Sequence, residues 1–190
     1  ALYYTSPEVL FNIACTNKID IWALGCVTAE LFFGIPIFPA NSEKELAYFF
    51  NLLIGPLPQP FCKKSPKKYF FNKEGQLKNL GELNFGADPQ KLISAEHPFF
   101  VYNSLEDNWL SYREIPTEEY VYQVNNNFDG YGNPIHRELL TIDLSQEEIE
   151  NRYLLLDMVR KMLDINYEVR PEAEDLLNHP FMLAHFEPKE

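Results

Sequence analysis

The chain has 190 residues, 46% of them hydrophobic and 23% charged, which is typical of a folded globular protein and not of a disordered one. Lys and Arg total 16 against 28 for Asp and Glu, and the resulting net charge of −12 argues against a nucleic-acid binder that neutralises phosphates. No apolar run reaches 18 residues, so we expect no membrane span, and no secretory signal is visible before the first motif.

The first strong helix is predicted from Lys18 to Phe33. Asn17 is a good N-cap residue, and Asp20 faces the positive end of the helix dipole. Gly34 provides a stop signal. Eleven of the fifteen residues from Ile19 to Phe33 are apolar and occupy every face, so we expect a fully buried helix at the centre of a helical domain.

The second helix is predicted to begin with a capping box formed by Ser42 and Glu45. Gly55 and Pro56 are predicted to end it. Four apolar residues at helical spacing form one stripe on its surface: Leu46, Phe49, Phe50 and Leu53.

Residues 56–142 are predicted to be irregular, since they hold eight of the fourteen prolines. Between residues 61 and 80 six lysines stand against one acid, Glu74. This basic stretch is either a solvated surface loop or a docking patch for an acidic or phosphorylated partner. The candidate docking residues are Lys63, Lys64, Lys67 and Lys68, with Lys73 and Lys78 further along.

Residues 143–190 are predicted to be helical again, with a second capping box at Ser145 and Glu148. We expect a break at Asn166 and a short helix after Pro171, which Pro180 prevents from continuing. Apolar residues at helical spacing predict one buried stripe: Ile149, Tyr153, Leu156, Val159 and Leu163.

The cysteines and histidines show no spacing typical of a disulfide framework or a metal site. The three cysteines (Cys15, Cys26 and Cys62) are odd in number and lack a C-x-x-C pair, and the four histidines lack an H-E-x-x-H arrangement. We therefore expect no bound metal, and a reducing location in the cytoplasm or the nucleus.

Three segments in the right order resemble the eukaryotic protein kinases. Y-x-S-P-E-V-L at Tyr4–Leu10 is similar to the A-P-E segment that closes the kinase activation loop. Lys18–Pro39 resembles the D-x-W-x-x-G helix and the turn after it, while Met162–Pro171 and Leu176–Phe181 resemble the end of the kinase domain. The resemblance covers both ends of the chain.

The S-P-E version, the G-x-P-x-F-P turn and the long insert resemble the CMGC group. P-K-K-Y-F-F at Pro66–Phe71 looks most like the dual-specificity tyrosine-regulated (DYRK) branch. The resemblance implies a mainly α fold, the helical C-terminal lobe of a kinase-like domain whose parent is α+β. It implies a partial kinase domain at 1–185 with an insert at about 56–142, followed by a tail at 186–190.

The family's structural residues can be carried over to matching positions of this chain. Glu8 and Arg170 would match a buried ion pair that ties the activation segment to the late helices. Asp20 would match the aspartate that accepts backbone N–H groups of the catalytic loop, and Trp22 and Gly25 would pack beneath the S-P-E segment. The resemblance also implies a substrate platform: Ala1, Leu2, Tyr3, Tyr4 and Thr5.

The resemblance implies that the catalytic motifs precede this chain. The Gly-rich loop, the strand lysine, the catalytic-loop Asp and Asn and the D-F-G aspartate all come before S-P-E in the family. We therefore expect no catalytic, ATP or Mg²⁺ site here, whereas the intact parent would use ATP and Mg²⁺ on protein substrates. Turn chemistry accounts for the echoes of such motifs at 84–86, 128–130 and 130–132.

Two positions depart from the family pattern and keep other readings open. The family commonly has Ser or Thr at the position of Ala1, and CMGC kinases commonly have Arg at that of Thr5. The main hypothesis is the C-lobe portion of a Ser/Thr or dual-specificity kinase, inactive alone and partnered by the missing N-terminal part of the domain. The alternatives are a non-catalytic, pseudokinase-derived binding module, or a truncated product without function. We also expect poor independent stability, with uncovered apolar surface near Trp22 and Tyr4.

Overall fold

The computed structural model describes residues 2–78, 105–111 and 145–186 of the chain. A 3-10 turn at Leu2–Tyr4 opens the described part, a second lies at Lys68–Phe70, and Phe71 and Leu77 form an isolated antiparallel bridge. The helices are α1 (Pro7–Leu10), α2 (Lys18–Phe33), α3 (Glu43–Phe49), α4 (Gln59–Lys64), α5 (Leu105–Ser111), α6 (Gln146–Met162), α7 (Ala173–Leu177) and α8 (Pro180–Phe186). The mainly α fold is confirmed.

Helix α2 has the predicted bounds, but its N-terminus is not capped as expected. Gly34 adopts φ 75°, and its N–H donates to the carbonyl of Glu30, as predicted for a left-handed C-cap. The Asn17 side chain makes no capping bond, because its backbone is already helical, with φ −58° and ψ −18°. Its amide instead donates to Glu172 at 2.9 Å, which ties the start of α2 to the start of α7.

The prediction that α2 is buried on every face is wrong. Its buried residues include Trp22, Cys26 and Phe33, but Leu24, Val27 and Leu31 are 49%, 42% and 81% exposed. Spacings of three and four residues place these three side chains on one helical stripe. We call this set the α2 stripe; the buried residues of the helix, such as Trp22, Cys26 and Phe33, pack into the core.

Gly25 is the point of closest approach between α2 and α6. A Cβ atom there would lie 2.9 Å from both Met162 Cβ and Leu163 Cδ2, at the end of α6. Glycine therefore lets the two helices meet more closely than any other residue would allow. The atoms nearest to such a Cβ belong to Met162 and Leu163 at the end of α6, and the packing of Gly25 beneath the S-P-E segment stays a prediction.

The apolar stripe of α3 is confirmed, since Leu46, Phe49, Phe50 and Leu53 are all buried. The helix continues as a π-helical turn at Phe50–Ile54, and Gly55 ends it with φ 129°. Ser42 Oγ accepts from the N–H of Glu45 at 3.2 Å, while the Glu45 carboxylate accepts from Asn41 N at 2.7 Å. In the usual capping box the carboxylate accepts from the N–H of the N-cap residue, which is Ser42 here. In this helix it accepts from Asn41, one residue earlier.

The predicted irregular insert contains α4, a 3-10 turn and α5 within its described residues, so the expectation of an irregular segment is wrong there. Trp109 of α5 is fully buried and stacks on Phe32 of α2 with 4.0 Å between ring centroids and an angle of 2°. Glu106 pairs with Arg160 of α6 at 2.7 Å. The sequence echoes at 84–86, 128–130 and 130–132 lie outside the described residues.

The C-terminal helices follow the predicted order with two differences. Ser145 Oγ accepts from Glu148 N at 3.1 Å, as expected for the start of α6. Tyr153, predicted to be buried, is 51% exposed, because the stripe that packs inward is narrower than its spacing suggested. The short helix after Pro171 ends at Leu177 with Asn178 as its C-cap, as predicted, but Pro180 then begins a further helix, α8, which the sequence did not predict; its fixed φ fits the first turn, where no N–H is required.

Within residues 2–78, 105–111 and 145–186, no helix is long and apolar enough to span a bilayer.

Candidate functional site

A bidentate ion pair joins the two ends of the described chain. Arg170 Nη1 lies 2.7 Å from Glu8 Oε1, and Arg170 Nη2 lies 2.9 Å from Glu8 Oε2. Both side chains are 0% exposed. Helix α1 positions Glu8 because Pro7 begins the helix at S-P-E, and the two residues stand 162 positions apart in sequence.

Arg170 also uses its remaining donors. Nη1 donates to the carbonyl of Lys18 at 2.7 Å, and Nε and Nη2 donate to the carbonyl of Asp164 at 3.1 and 2.9 Å. The guanidinium carbon lies 5.1 Å from the ring centroid of Trp22. A buried charge is tolerable only when it is paired and fully hydrogen-bonded, and Arg170 meets that condition.

Trp22 links this ion pair to the core. It stacks on Phe38 at 5.6 Å and meets Phe50 edge-on at 5.1 Å, so it lies between Arg170 and the apolar side chains of α3. Trp22 itself is fully buried, and the exposed apolar surface of the same helix lies at the α2 stripe, which begins two residues further on at Leu24.

The predicted substrate platform begins outside the described residues at Ala1 and continues through Leu2, Tyr3, Tyr4 and Thr5, which are all half-buried. The Tyr4 hydroxyl donates to Glu30 Oε2 of α2 at 2.6 Å. This bond raises the pKa of Tyr4, because ionisation would put a second negative charge beside the carboxylate. The platform is therefore anchored on α2 by a polar contact.

Asp20 lies on the surface near the start of α2 and is exposed. Within the part of the chain that the structure describes, its carboxylate has no hydrogen-bond partner. It precedes Leu24 by four residues, so it lies at the N-terminal end of the α2 stripe.

The candidate docking lysines have contacts that favour the solvated-loop reading. Lys64 pairs with Glu168 at 2.9 Å, and Lys67 reaches both oxygens of Glu43 at 2.8 and 2.9 Å. Lys68 Nζ donates to the carbonyl of Lys63 at 2.8 Å, at the end of α4. Two of the four ammonium groups are thus paired with acids of other elements, which halves the charge that this stretch could offer to an acidic partner.

A cavity of about 340 Å³ lies between the π-helical turn, α5 and α6. Its lining combines apolar Leu53 and Ile165 with the Glu106–Arg160 pair at 2.7 Å. Asp164 also lines this cavity, and the charges of Glu106 and Arg160 are engaged with each other. Across residues 2–78, 105–111 and 145–186, no three His, Cys, Asp or Glu side chains are grouped so that they could hold a metal ion.

The sequence did not predict three features of the structure. They are the contact of Tyr4 with Glu30, the contact of Trp109 with Phe32, and the hydrogen bonds around His179. The first two join segments far apart in sequence, which no local pattern reveals. An indirect signal for Trp109 existed, since a large aromatic residue within a predicted polar insert needs an apolar surface to cover it.

A family model described as "Protein kinase domain" matches residues 1–182. The serine/threonine-protein kinase ppk15 of Schizosaccharomyces pombe is 32% identical over 183 residues, which cover 95% of this chain and 30% of that protein. A dual specificity protein kinase YAK1 homolog of Arabidopsis thaliana is 27% identical, and homeodomain-interacting protein kinase 2 of Mus musculus is 29% identical. These matches cover 95% of this chain but 18% and 14% of those proteins.

The chain therefore spans less than a third of the length of these curated relatives. Among solved structures, a crystal structure of a kinase domain matches with a TM-score of 0.62 and 19% sequence identity. The match covers 96% of this chain and 40% of the solved one, and at this identity it shows the fold alone.

Proposed function

Because this chain belongs to the protein kinase domain family, we propose that it is the C-terminal portion of the large lobe of a Ser/Thr or dual-specificity kinase. Its relatives support a CMGC kinase of the DYRK type. The intact kinase would transfer the γ-phosphoryl group of ATP to hydroxyl groups of protein substrates with the help of Mg²⁺. The chain itself would supply the helical core and the substrate platform, in the cytoplasm or the nucleus.

The α2 stripe is the observation that carries this proposal. A helix with large apolar side chains on all its faces belongs inside a domain, yet Leu24, Val27 and Leu31 are open to solvent. In the proposed parent, the part of the kinase domain that carries the catalytic loop covers this stripe. Backbone N–H groups of that loop would bind the carboxylate of Asp20, which is exposed at the end of the stripe.

The ion pair and the platform have different roles in this proposal. Glu8 and Arg170 hold the S-P-E segment against α2 and α6, and the ring of Trp22 packs against the guanidinium group of Arg170. The residues before S-P-E, Ala1 to Thr5, would form the surface that the substrate peptide meets. Glu30 would hold these residues in place on α2 through its hydrogen bond with Tyr4.

No step of the phosphoryl transfer is assigned to this chain. The described residues hold no group of acids that fits Mg²⁺, and no Gly-rich turn leads into a helix N-terminus that could hold phosphates. These residues do not fit ATP·Mg²⁺, so we propose that the preceding part of the kinase binds it.

The test compares the chain alone with a chimera. The 190-residue chain should show no micromolar binding of labelled ATP·Mg²⁺. The chain fused behind the part of the fission-yeast relative that precedes the aligned region should bind ATP and phosphorylate a Ser/Thr peptide library. A matched chimera with Leu31→Asp should lose activity, since the stripe could no longer be covered, whereas one with exposed Val169→Asp should retain it.

The outcomes of this experiment distinguish the kinase hypothesis from its alternatives. Micromolar ATP binding by the isolated chain would show that the nucleotide site is not confined to the preceding part. A chimera that binds ATP but phosphorylates nothing would favour a non-catalytic binding module, to which the residues at Ala1 and Thr5 point. A chimera that does neither and fails to fold would contradict the covering of the α2 stripe.

A further inference from the structure

His179 lies at the junction between α7 and α8 and is only 5% exposed. Its N–H donates to the carbonyl of Leu176 at 3.0 Å, and its own carbonyl accepts from Leu183 N at 3.1 Å. The second bond is the first turn of α8, so His179 occupies the N-cap position of that helix.

Both ring nitrogens of His179 are engaged. The N–H of Phe181 donates to Nδ1 at 3.2 Å, so Nδ1 acts as an acceptor and carries no proton. Nε2 lies 2.9 Å from Asp157 Oδ2 on α6, and it must carry the proton in order to donate there. The neutral Nε2–H tautomer therefore satisfies both contacts, an assignment that follows from its bonding partners.

The same ring thus performs two tasks. Through Nδ1 it caps α8, as a Ser or Asp side chain commonly does at an N-cap. Through Nε2 it fastens that cap to α6. A protonated imidazole has two donors and no acceptor, so it can keep the bond to Asp157 but cannot cap the helix.

Two charged side chains of α6 lie beside the His179 ring. Lys161 Nζ lies 3.3 Å from Nε2, and the Asp157 carboxylate that Nε2 contacts also accepts from Lys161 at 2.6 Å. On α7, the Asp175 carboxylate is engaged by the N–H of Glu172 at 2.9 Å.

Two further titratable groups belong to the same helices. Glu174 of α7 is exposed. His185 of α8 lies with its ring 4.7 Å from that of Phe181, and its Nε2 is 3.1 Å from Asn151 Oδ1. His185 is the other histidine of this region and contacts Asn151 and Phe181 and not Asp157, which makes it a suitable control.

We propose that neutral His179 is a proton-sensitive latch that holds α8 on α6. Uptake of a proton from solvent at Nδ1 removes the acceptor of the Phe181 N–H, uncaps α8 and loosens it, while Asp157 and Lys161 stay paired. The contacts of His179 are separate from those on which the proposed function depends. The latch can therefore be disproved while the proposed function stands, and the reverse also holds.

Amide hydrogen exchange of the full chain tests the latch at pH 7.5 and pH 5.0, on either side of the usual histidine titration. The readout is the protection of the α8 amides relative to that of Val159 and Met162 in α6, after correction for intrinsic exchange rates. We expect this ratio to fall about fivefold at pH 5.0, the scale of a lost helix cap. An unchanged ratio would overturn the proposal.

Two substitutions at the same position separate the tasks of the ring. His179→Asn offers a carbonyl oxygen near the place of Nδ1 and does not titrate, so α8 should keep its protection at both pH values. His179→Gln can reach Asp157 but leaves the Phe181 N–H without its acceptor, so protection should be low at both. A pH response retained by His179→Asn would contradict the latch.

Two further measurements complete the test. His185→Gln should leave the wild-type response intact, and its disappearance would move the effect to His185. Imidazole ¹⁵N spectra at pH 7.5 should show the Nε2–H tautomer of His179. An Nδ1–H tautomer or a cation at that pH would overturn the assignment on which the latch depends.

Discussion

Arg170 holds a positive charge where water cannot reach it, and its five N–H donors are met by one carboxylate and two backbone carbonyls. The contribution of Arg170 to stability therefore cannot be measured by the strength of one hydrogen bond. Its removal would leave Glu8 charged and buried, and would leave the carbonyls of Lys18 and Asp164 without that donor. The stranded carboxylate is the largest of these costs.

Arg170→Met should lower the free energy of unfolding by about 3–5 kcal/mol, because Glu8 is left unpaired. Urea unfolding followed by circular dichroism measures the change. The double variant Glu8→Leu with Arg170→Met should recover part of the loss but not all of it, since the two carbonyls remain without their donor. A double variant as unstable as the sum of the two single changes would contradict a coupled pair.

Gly25→Ala should destabilise the chain by about 1–3 kcal/mol through overpacking, since the new Cβ would meet Met162 and Leu163 at 2.9 Å. The higher helix propensity of alanine offsets up to about 1 kcal/mol of this. Adding Leu163→Ala to Gly25→Ala should remove the contact with the Leu163 side chain but not the one with Met162 Cβ, so the double variant should cost somewhat less than the two single changes together. Thermal unfolding of the three variants checks the coupling.

At the scale of elements, α5 shows how an insert is attached to a helical core. Trp109 lies against Phe32, and Arg152 lies 5.2 Å from the centroid of the same ring. The indole N–H of Trp109 has no hydrogen-bond partner among the described residues, so this contact depends on apolar area and stacking. Helix α5 has only seven residues, too short to be stable without such packing.

Trp109→Ala should therefore release α5 before it affects the rest of the chain, with a loss of about 3–5 kcal/mol for the deleted indole. Limited proteolysis should find new cleavage within 105–111, while α2 and α6 stay protected. Trp109→Phe keeps an aromatic ring and removes the unpaired N–H, so it should be cut far more slowly. Equal cleavage of the two variants would contradict a role for stacking.

For the whole molecule, local features could be predicted from the residues themselves, and one distant contact could be predicted from the family resemblance. The Gly34 stop and the α3 stripe depend on residues within a few positions of each other, and both are confirmed. The resemblance implied the Glu8–Arg170 pair, which the structure shows although 162 positions separate the two residues. The exposure of Tyr153 and the contact of Asn17 with Glu172 depend on segments distant in sequence. No local periodicity contains that information, which is why these two residues were placed wrongly.

The uncovered α2 stripe should make the isolated chain associate. We expect light scattering to show oligomers and calorimetry a broad thermal transition, since contiguous exposed apolar surface favours association. The triple variant Leu24→Gln, Val27→Thr, Leu31→Gln should stay monomeric at higher concentration. A control with Val169→Gln and Leu177→Gln, which removes equally exposed but scattered side chains, should associate like the wild type.

The pairing of Glu8 with Arg170 also has a consequence for biosynthesis. A ribosome makes the first of these residues 162 positions before the second, an interval of roughly 10–30 s at ordinary elongation rates. For that time the nascent S-P-E segment has no counter-ion, and the surface around Trp22 lacks its guanidinium cover. Chaperones that bind nascent chains could meet this segment throughout that interval, until the ion pair forms.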